Sequence, residues 1–239
     1  MRRYATRILR SERKLEDRYV LAGLFIIACI LTFAFAGDGR WGRMVTVGLE
    51  SVTLIVILRA SQVRPRIARI AGITCAVLFL AVALAQSSDG TWATAAPSIL
   101  GALLALCGPI AIVHRLVQQP VINFTTVAGA LCVYLLAGLF FACGYGAMGT
   151  LHHGDFFAQA DSGKAVDYVY FSFVTLTTTG YGDLTARSNA GRMAAILEAL
   201  FGQLYLVSIV ALLVANMGRT RRPRDGSGAL AGTTMEGSS

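Results

Sequence analysis

The sequence contains few charged residues. Aspartate, glutamate, lysine and arginine make up 14% of its 239 residues, whereas about 25% is usual in soluble domains. Hydrophobic residues make up 55% of the chain. This composition is typical of a membrane protein and excludes an ordinary soluble domain.

Residues that could support enzyme chemistry or metal binding are also scarce. There are only three histidines and five cysteines, and every cysteine lies within an apolar stretch. The cysteine spacing matches neither a zinc site nor a disulfide framework. No Ser-His-Asp pattern or phosphate-binding loop stands out either. We therefore expect no enzymatic activity and no cofactor.

Long apolar runs dominate the chain instead. A helix needs roughly 20 mostly apolar residues to cross a bilayer. The candidate spans are 19–37, 43–59, 67–86, 93–114, 121–149 and 191–217. A further apolar segment, 165–179, is too short to cross, so we expect it to enter the membrane and turn back. The predicted fold class is an all-α membrane protein with six transmembrane helices, a re-entrant pore helix and a filter loop.

The basic residues indicate the orientation in the membrane. If the N-terminus is cytoplasmic, 16 arginine and lysine residues lie inside and 5 lie outside, which fits the positive-inside rule. We therefore expect a protein of the cell membrane with both termini in the cytoplasm and residues 180–183 on the extracellular side. The formal net charge of +8 accordingly indicates anionic lipid headgroups as partners, and not nucleic acid.

Composition and charge divide the chain into four parts. A basic cytoplasmic segment, 1–18, precedes a four-helix region, 19–118, and a third region, 119–218. Residues 219–239 are rich in glycine, serine and threonine, so we expect a disordered cytoplasmic tail. Two interpretations of 1–18 are open, an amphipathic helix on the inner membrane surface and a solvated tail.

One short polar stretch interrupts the apolar pattern, Thr-Thr-Thr-Gly-Tyr-Gly-Asp at 177–183. Non-helical backbone at membrane depth is tolerated only where it lines a cavity or is buried in protein. Glycine reaches backbone angles that other residues avoid, so a strand with Gly180 and Gly182 can point successive carbonyl oxygens one way. Four such strands around an axis form oxygen rings that replace the hydration shell of K⁺. Because one strand cannot surround an ion, we expect a homotetramer.

This stretch resembles the selectivity filter of the potassium channel family, whose pattern is T-x-T-T-x-G-Y-G-D. Residues 175–183 match that pattern, and the resemblance covers about 120–218 as outer helix, pore helix, filter and inner helix. It implies that K⁺ binds at the filter residues Thr178, Thr179, Gly180, Tyr181 and Gly182. The family usually has valine or isoleucine where this chain has Thr179. We expect selectivity to survive, because that side chain should face away from the ions.

The resemblance also assigns residues that support the filter. Tyr170 and Phe171 match an aromatic pair that would pack around Tyr181. In some family members a pore-helix carboxylate pairs with the aspartate after the filter, but the matching residue here is Val174. Asp183 therefore needs another partner or stays solvated.

On the inner helix, the resemblance implies a cavity and a gate. Gly202 falls at the hinge glycine of the family, and the alternative role for it is close helix packing. Gln203 would face the cavity below the filter. Leu206, Val210 and Val214 would line the path inward and could gate it by dewetting.

Glu198 is an acidic residue inside a spanning helix, which is costly and usually functional. Two interpretations are open. Glu198 could accept hydrogen bonds from Thr177 or other groups behind the filter and so support it. Alternatively, it is a protonated carboxyl with a purely structural role.

The first four helices lack the signature of a voltage sensor. Such a sensor carries arginine at every third position, and the fourth span, 93–114, contains no arginine. Glu50 in the second span either pairs with a basic group such as Arg43 or Arg66, or is a neutral packing residue. The sequence does not decide between these roles.

The loop at 150–164 carries two unusual pairs. His152 and His153 could sense pH or bind a metal, or they could simply belong to a solvated loop. We expect Phe156 and Phe157 to dock on the outer membrane leaflet.

Taken together, these features predict a potassium-selective channel that conducts K⁺ passively and is not opened by a charged voltage-sensing helix. The alternative is the membrane subunit of a K⁺ transporter with a filter-like loop. Related transporters carry several degenerate pore loops in one chain, whereas this chain has one complete loop, which favours the channel. The stimulus that opens the pore is not indicated.

Overall fold

The computed structural model describes residues 19–33, 35, 37, 39–61, 65–85, 91–116, 124–151, 156–159 and 163–217. The segment 1–18, the tail 219–239 and the pair His152 and His153 lie outside these residues. The predictions made for them therefore stay predictions.

The described residues form seven helices. They are α1 (Tyr19–Phe33), α2 (Arg40–Ala60), α3 (Pro65–Ala85), α4 (Thr91–Leu116), α5 (Phe124–Leu151), α6 (Ala165–Leu176) and α7 (Asn189–Met217). Four of them, α2, α4, α5 and α7, are long and apolar enough to cross a membrane. This confirms an all-α membrane protein, whereas six spanning helices and a tetramer stay predictions.

Helix α5 forms the centre of the chain. Helix α4 packs along it, and α6 and α7 contact it as well. The largest apolar core joins α1, α2, α4 and α5, with Ile26, Ile57, Ile112 and Leu139 fully buried in it. Close approach depends on small residues, as is common between membrane helices. At Gly108 of α4, for example, a Cβ atom would lie 2.8 Å from a Leu136 methyl group of α5.

Helix α6 is the short element that the sequence predicted as re-entrant. Its 12 residues span about 18 Å, which is less than the roughly 30 Å of a hydrocarbon core. At its start, the Lys164 N–H donates to the Asp167 carboxylate at 2.8 Å. At its end, the Thr177 N–H donates to the Phe173 carbonyl at 3.1 Å. The helix therefore stops three residues before the predicted segment does, and the chain continues in a non-helical conformation.

Helix α7 is apolar along its length, yet its own chain covers little of it. Only 11% of the apolar window in Asn189–Leu212 is buried, against 61% in Thr126–Leu151 of α5. A helix that is apolar on all sides is normally surrounded by protein or lipid. The uncovered sides of α7 therefore face lipid or further protein chains.

Candidate functional site

In residues 177–183, which we call the filter segment, the backbone alternates between left-handed and right-handed conformations. The angle φ is +56° at Thr178, +55° at Gly180 and +79° at Gly182, and it is not positive at Thr179 or Tyr181 between them. Left-handed backbone costs an L residue about 1–2 kcal/mol, and Thr178 alone among the described non-glycine residues adopts it. Alternation between the two hands turns successive N–H groups to one side of a strand. The carbonyl oxygens then lie along the other side.

The filter segment is open on a single chain. Residues 177–183 are all exposed, and Tyr181 is 71% exposed. Among the described residues, no heavy atom lies within 4 Å of the Cβ position at Gly180 or Gly182, apart from their chain neighbours. Non-helical backbone at membrane depth is tolerated only where it is buried in protein or lines a water-filled cavity, so further protein or water must surround this segment.

Thr179, which departs from the family pattern, hydrogen-bonds to the side chain of Thr177. The Thr177 hydroxyl donates to the Phe173 carbonyl at 2.7 Å and lies 2.9 Å from the Thr179 hydroxyl. Because the Thr177 proton is used on Phe173, Thr179 is the donor in the second bond. Its polar side chain is thereby tied to the last turn of α6.

Asp183 finds its partner on α6. The Tyr170 hydroxyl donates to the Asp183 carboxylate at 2.7 Å. This hydrogen bond raises the pKa of Tyr170 above its ordinary value, so the phenol keeps its proton and remains a donor. The bond links the pore helix to the residue that follows the filter. The predicted packing of Tyr170 and Phe171 around Tyr181 stays a prediction.

Phe171 belongs to an aromatic cluster that includes Tyr145, Phe156 and Phe157. Its ring centroid lies 5.1 Å from that of Tyr145 and 5.5 Å from that of Phe157. Phe156 and Phe157 contact each other edge to face and are 5% and 0% exposed. The prediction that this pair docks on the membrane leaflet is wrong, because both rings pack into the protein.

The same loop clamps the chain that leaves the filter. The Ala158 N–H donates to the Thr185 carbonyl at 2.9 Å, and the Arg187 N–H donates to the Phe156 carbonyl at 2.8 Å. The Gln159 side chain adds bonds to the Thr185 hydroxyl and N–H. The exit from the filter is therefore fixed to the aromatic cluster.

Glu198 of α7 joins three helices. It is fully buried and accepts a 2.7 Å hydrogen bond from the Tyr145 hydroxyl of α5. Its other oxygen contacts the Ser172 hydroxyl of α6. The predicted bond from Thr177 is wrong, since that hydroxyl turns back to Phe173. The groups that contact Glu198 are instead the hydroxyls of Tyr145 and Ser172.

The contacts of the Ser172 hydroxyl indicate whether the Glu198 carboxyl is protonated. The Ser172 hydroxyl also lies 2.7 Å from the Gly138 carbonyl, which can only accept. A hydroxyl carries a single proton, and Ser172 uses it to donate to the Gly138 carbonyl. The contact between Ser172 and Glu198 is then a hydrogen bond only if the Glu198 carboxyl is protonated and donates to the Ser172 oxygen. A neutral Glu198 therefore completes a network across α5, α6 and α7.

Gly202 lies one turn further along α7, against the end of α6. A Cβ atom at Gly202 would overlap the carbonyl oxygen of Leu176. The Tyr134 hydroxyl donates to that same oxygen at 3.2 Å. Close packing thus describes Gly202 in this structure, and the hinge role stays a prediction.

The predicted cavity and gate residues lie on sides of α7 that the chain leaves uncovered. Gln203 is exposed, and Leu206, Val210 and Val214 are 42%, 56% and 64% exposed. Their positions allow them to face a shared axis, but nothing on one chain tests their roles.

Sequence reasoning missed Tyr134 and Tyr145. A signal was present, because a buried tyrosine hydroxyl usually needs a hydrogen-bond partner, and both lie in a long apolar segment. Among the described residues, no group of three His, Cys, Asp or Glu side chains could hold a metal ion. The feature of this site that bears on function is the alternating backbone of the filter segment.

Comparison with known proteins gives one match, which covers the part of the chain that contains this site. Residues 126–219 match a family model described as ion channel. No curated protein matches the chain. The matched region runs from the start of α5 to just beyond α7, and so contains the filter segment with all its supporting contacts. Residues 126–219 therefore match an ion channel family, which supports the predicted resemblance to potassium channels for this part of the chain, whereas the filter motif itself stays a prediction.

Proposed function

We propose that the protein is a potassium-selective channel that conducts K⁺ passively through a homotetrameric pore. The observation that carries this proposal is the alternating backbone at Thr178, Gly180 and Gly182, on a segment that one chain leaves exposed. The pore lies in the cell membrane, with the filter on the extracellular side and both termini in the cytoplasm.

Ion selection follows from the chemistry of the filter backbone. Carbonyl oxygens of residues 178–182 from four chains form stacked rings, and the Thr178 hydroxyls add the innermost ring. These oxygens replace the water around K⁺ as it enters. Several adjacent sites allow one ion to displace the next, so binding does not prevent release.

Four chains also account for the uncovered surfaces. The exposed sides of α7 would pack on neighbouring subunits and line the inner cavity with Gln203. Tyr181 would enter a pocket between subunits, where aromatic neighbours hold the filter diameter. Tyr170, Asp183 and the Glu198 network keep α6 in place behind each strand.

Opening in this proposal does not depend on a moving charged helix. Helix α4 carries no basic residue before His114 and Arg115 at its end, whereas moving charge through the membrane field requires several. The inward-facing basic residues instead contact anionic lipid headgroups. A coupled K⁺ transporter remains the alternative, and unitary currents discriminate the two.

The test uses the purified full chain in planar bilayers with K⁺ on one side and Na⁺ on the other. We expect unitary current steps with a reversal potential close to that of K⁺, and a tetrameric mass in detergent. Equal permeation of the two ions would contradict the proposal. So would K⁺ uptake without unitary steps, or a purely monomeric protein.

A further inference from the structure

A second feature of interest lies outside the filter. A half-enclosed cavity of about 240 Å³ separates the peripheral helices from α5 and the start of α6. Its polar wall includes Thr32, Arg43, Thr46, Glu50 and Thr150. Ligand pockets in proteins usually measure about 300–1,000 Å³, so this cavity suits a fragment-sized molecule.

Glu50 forms the unusual part of the wall. It is only 7% exposed, and one of its carboxyl oxygens has no hydrogen-bond partner among the described residues. The other oxygen lies 3.7 Å from the Cys143 thiol, which is a weak donor. The unpartnered oxygen is itself buried, but Glu50 lines the cavity. Buried polar groups are normally satisfied, so a donor on a ligand in the cavity would supply what the weak thiol does not.

The hydroxyl groups around Glu50 add acceptors and few donors. Thr32, Thr46 and Thr150 donate to backbone carbonyls of their own helices at 2.7, 3.0 and 3.1 Å. Each hydroxyl has one proton, so toward the cavity these oxygens can only accept. Arg43 is the basic residue in the wall and already interacts within the chain. The Glu50 carboxyl and these three threonine oxygens therefore favour a ligand rich in N–H donors.

We propose that this cavity binds a small molecule with a primary ammonium group. The three N–H donors of such a group match the Glu50 carboxyl and the threonine oxygens. The apolar part of the wall, with Phe33, Val47, Pro97 and Ala142, accommodates the carbon chain. A bare inorganic cation would leave both the apolar wall and most of the volume unused.

The backbone opposite Glu50 leaves room for the carboxyl group. A Cβ atom at Gly101 of α4 would lie 2.7 Å from the unpartnered Glu50 oxygen. The side chain is thus held between α4 and the cavity. Ala165 and Tyr168, in the first turn of α6, line the same cavity, so a bound ligand would touch the start of the pore helix.

The test measures thermal unfolding of the purified full chain in detergent, with n-propylammonium chloride titrated to about 50 mM because so small a ligand binds weakly. 1-Propanol and KCl at the same concentrations are the controls for the carbon chain and for ionic strength. We expect a saturable rise in melting temperature with n-propylammonium only. An equal rise with either control, or no saturable rise, would overturn the proposal.

Two variants locate the binding. Glu50→Gln keeps the shape and removes the charge, and we expect it to weaken binding by at least roughly tenfold, as for loss of a charged hydrogen bond. Thr46→Val removes one acceptor and should weaken binding severalfold, which keeps the test decisive if Glu50→Gln does not fold. Unchanged affinity in both variants would overturn the assignment. No ion flux enters this assay, so its failure is distinguishable from failure of the proposed channel function.

Discussion

The two buried glutamates show how the pore region, α5 to α7, differs from the peripheral region, α1 to α4. Glu198 in the pore region is completed by Tyr145 and Ser172. Glu50 in the peripheral region has a thiol beside one carboxyl oxygen, and its other oxygen has no partner among the described residues. The pore region thus satisfies its polar groups internally and is built to hold one geometry. The peripheral region leaves the Glu50 carboxyl without a strong donor among the described residues.

The largest effect that can sharpen this comparison is expected at Gly180. Gly180→Ala and Gly144→Ala add the same methyl group at positions with nothing within 4 Å, but only Gly180 requires a positive φ. Alanine at Gly180 costs about 1–2 kcal/mol in each copy, and four copies share the proposed pore. We expect K⁺ flux into liposomes to fall by at least roughly tenfold in Gly180→Ala and to persist in Gly144→Ala. Equal flux in the two variants would show that the alternating backbone is not needed.

The sequence predicted this part of the molecule well because the information there is local. Gly180 and Gly182 indicate backbone angles that few other residues adopt. The predicted segment before them, 165–179, ends within three residues of the end of α6. The partners of Glu198 were not predicted in the same way. Tyr145 lies 53 residues away along the chain, and only helix packing brings the two together.

The error at Phe156 and Phe157 has a similar cause. An apolar pair in a polar loop gives the same signal whether it docks on lipid or on protein. Its burial here depends on the bridge between Phe157 and Ala186, which pairs the loop with the chain beyond the filter. Single-sequence patterns do not reveal such a non-local pairing.

The second prediction compares the two glutamates directly. Glu198→Leu strands the Tyr145 hydroxyl and a contact of Ser172, and leaving a buried donor unsatisfied costs about 1–3 kcal/mol. Glu50→Leu strands no strong partner, so we expect it to change the free energy of unfolding by less than about 1 kcal/mol. Thermal unfolding in detergent measures both. Glu198→Gln is the matched control, because an amide can replace a neutral carboxyl in this network.

A Glu50→Leu variant that is less stable than Glu198→Leu would reverse the comparison. It would mean that Glu50, and not Glu198, organises its surroundings. A strongly destabilised Glu198→Gln variant would instead show that the carboxyl is charged in the network.

The third prediction contrasts two helix glycines. Gly202→Ala drives a methyl group into the Leu176 carbonyl, whereas Gly72→Ala in α3 meets nothing within 4 Å. Overpacking of this kind costs about 1–3 kcal/mol, so we expect Gly202→Ala to lower the melting temperature and to reduce K⁺ flux severalfold. Gly72→Ala should leave both close to wild type. Normal stability with altered opening in Gly202→Ala would favour the hinge role over close packing.

The smallest effect is expected at the surface of the filter, where Tyr170 donates to Asp183. Tyr170→Phe removes only this bond, so we expect K⁺ conduction to persist and to decay faster during prolonged recording, because the residue after the filter loses its tie to α6. Asp183→Asn completes a double-mutant cycle, and the two changes together should be little worse than either alone.

The raised pKa of Tyr170 sets the pH dependence: the bond is complete below the ordinary value of 10.0 and is lost as the pH rises through the raised value. The difference between wild type and Tyr170→Phe should therefore stay constant through neutral pH and vanish only under strongly alkaline conditions. Fully additive effects in the cycle would show that the two side chains act independently, and the pore region would then owe its fixed geometry to the buried Glu198 network alone.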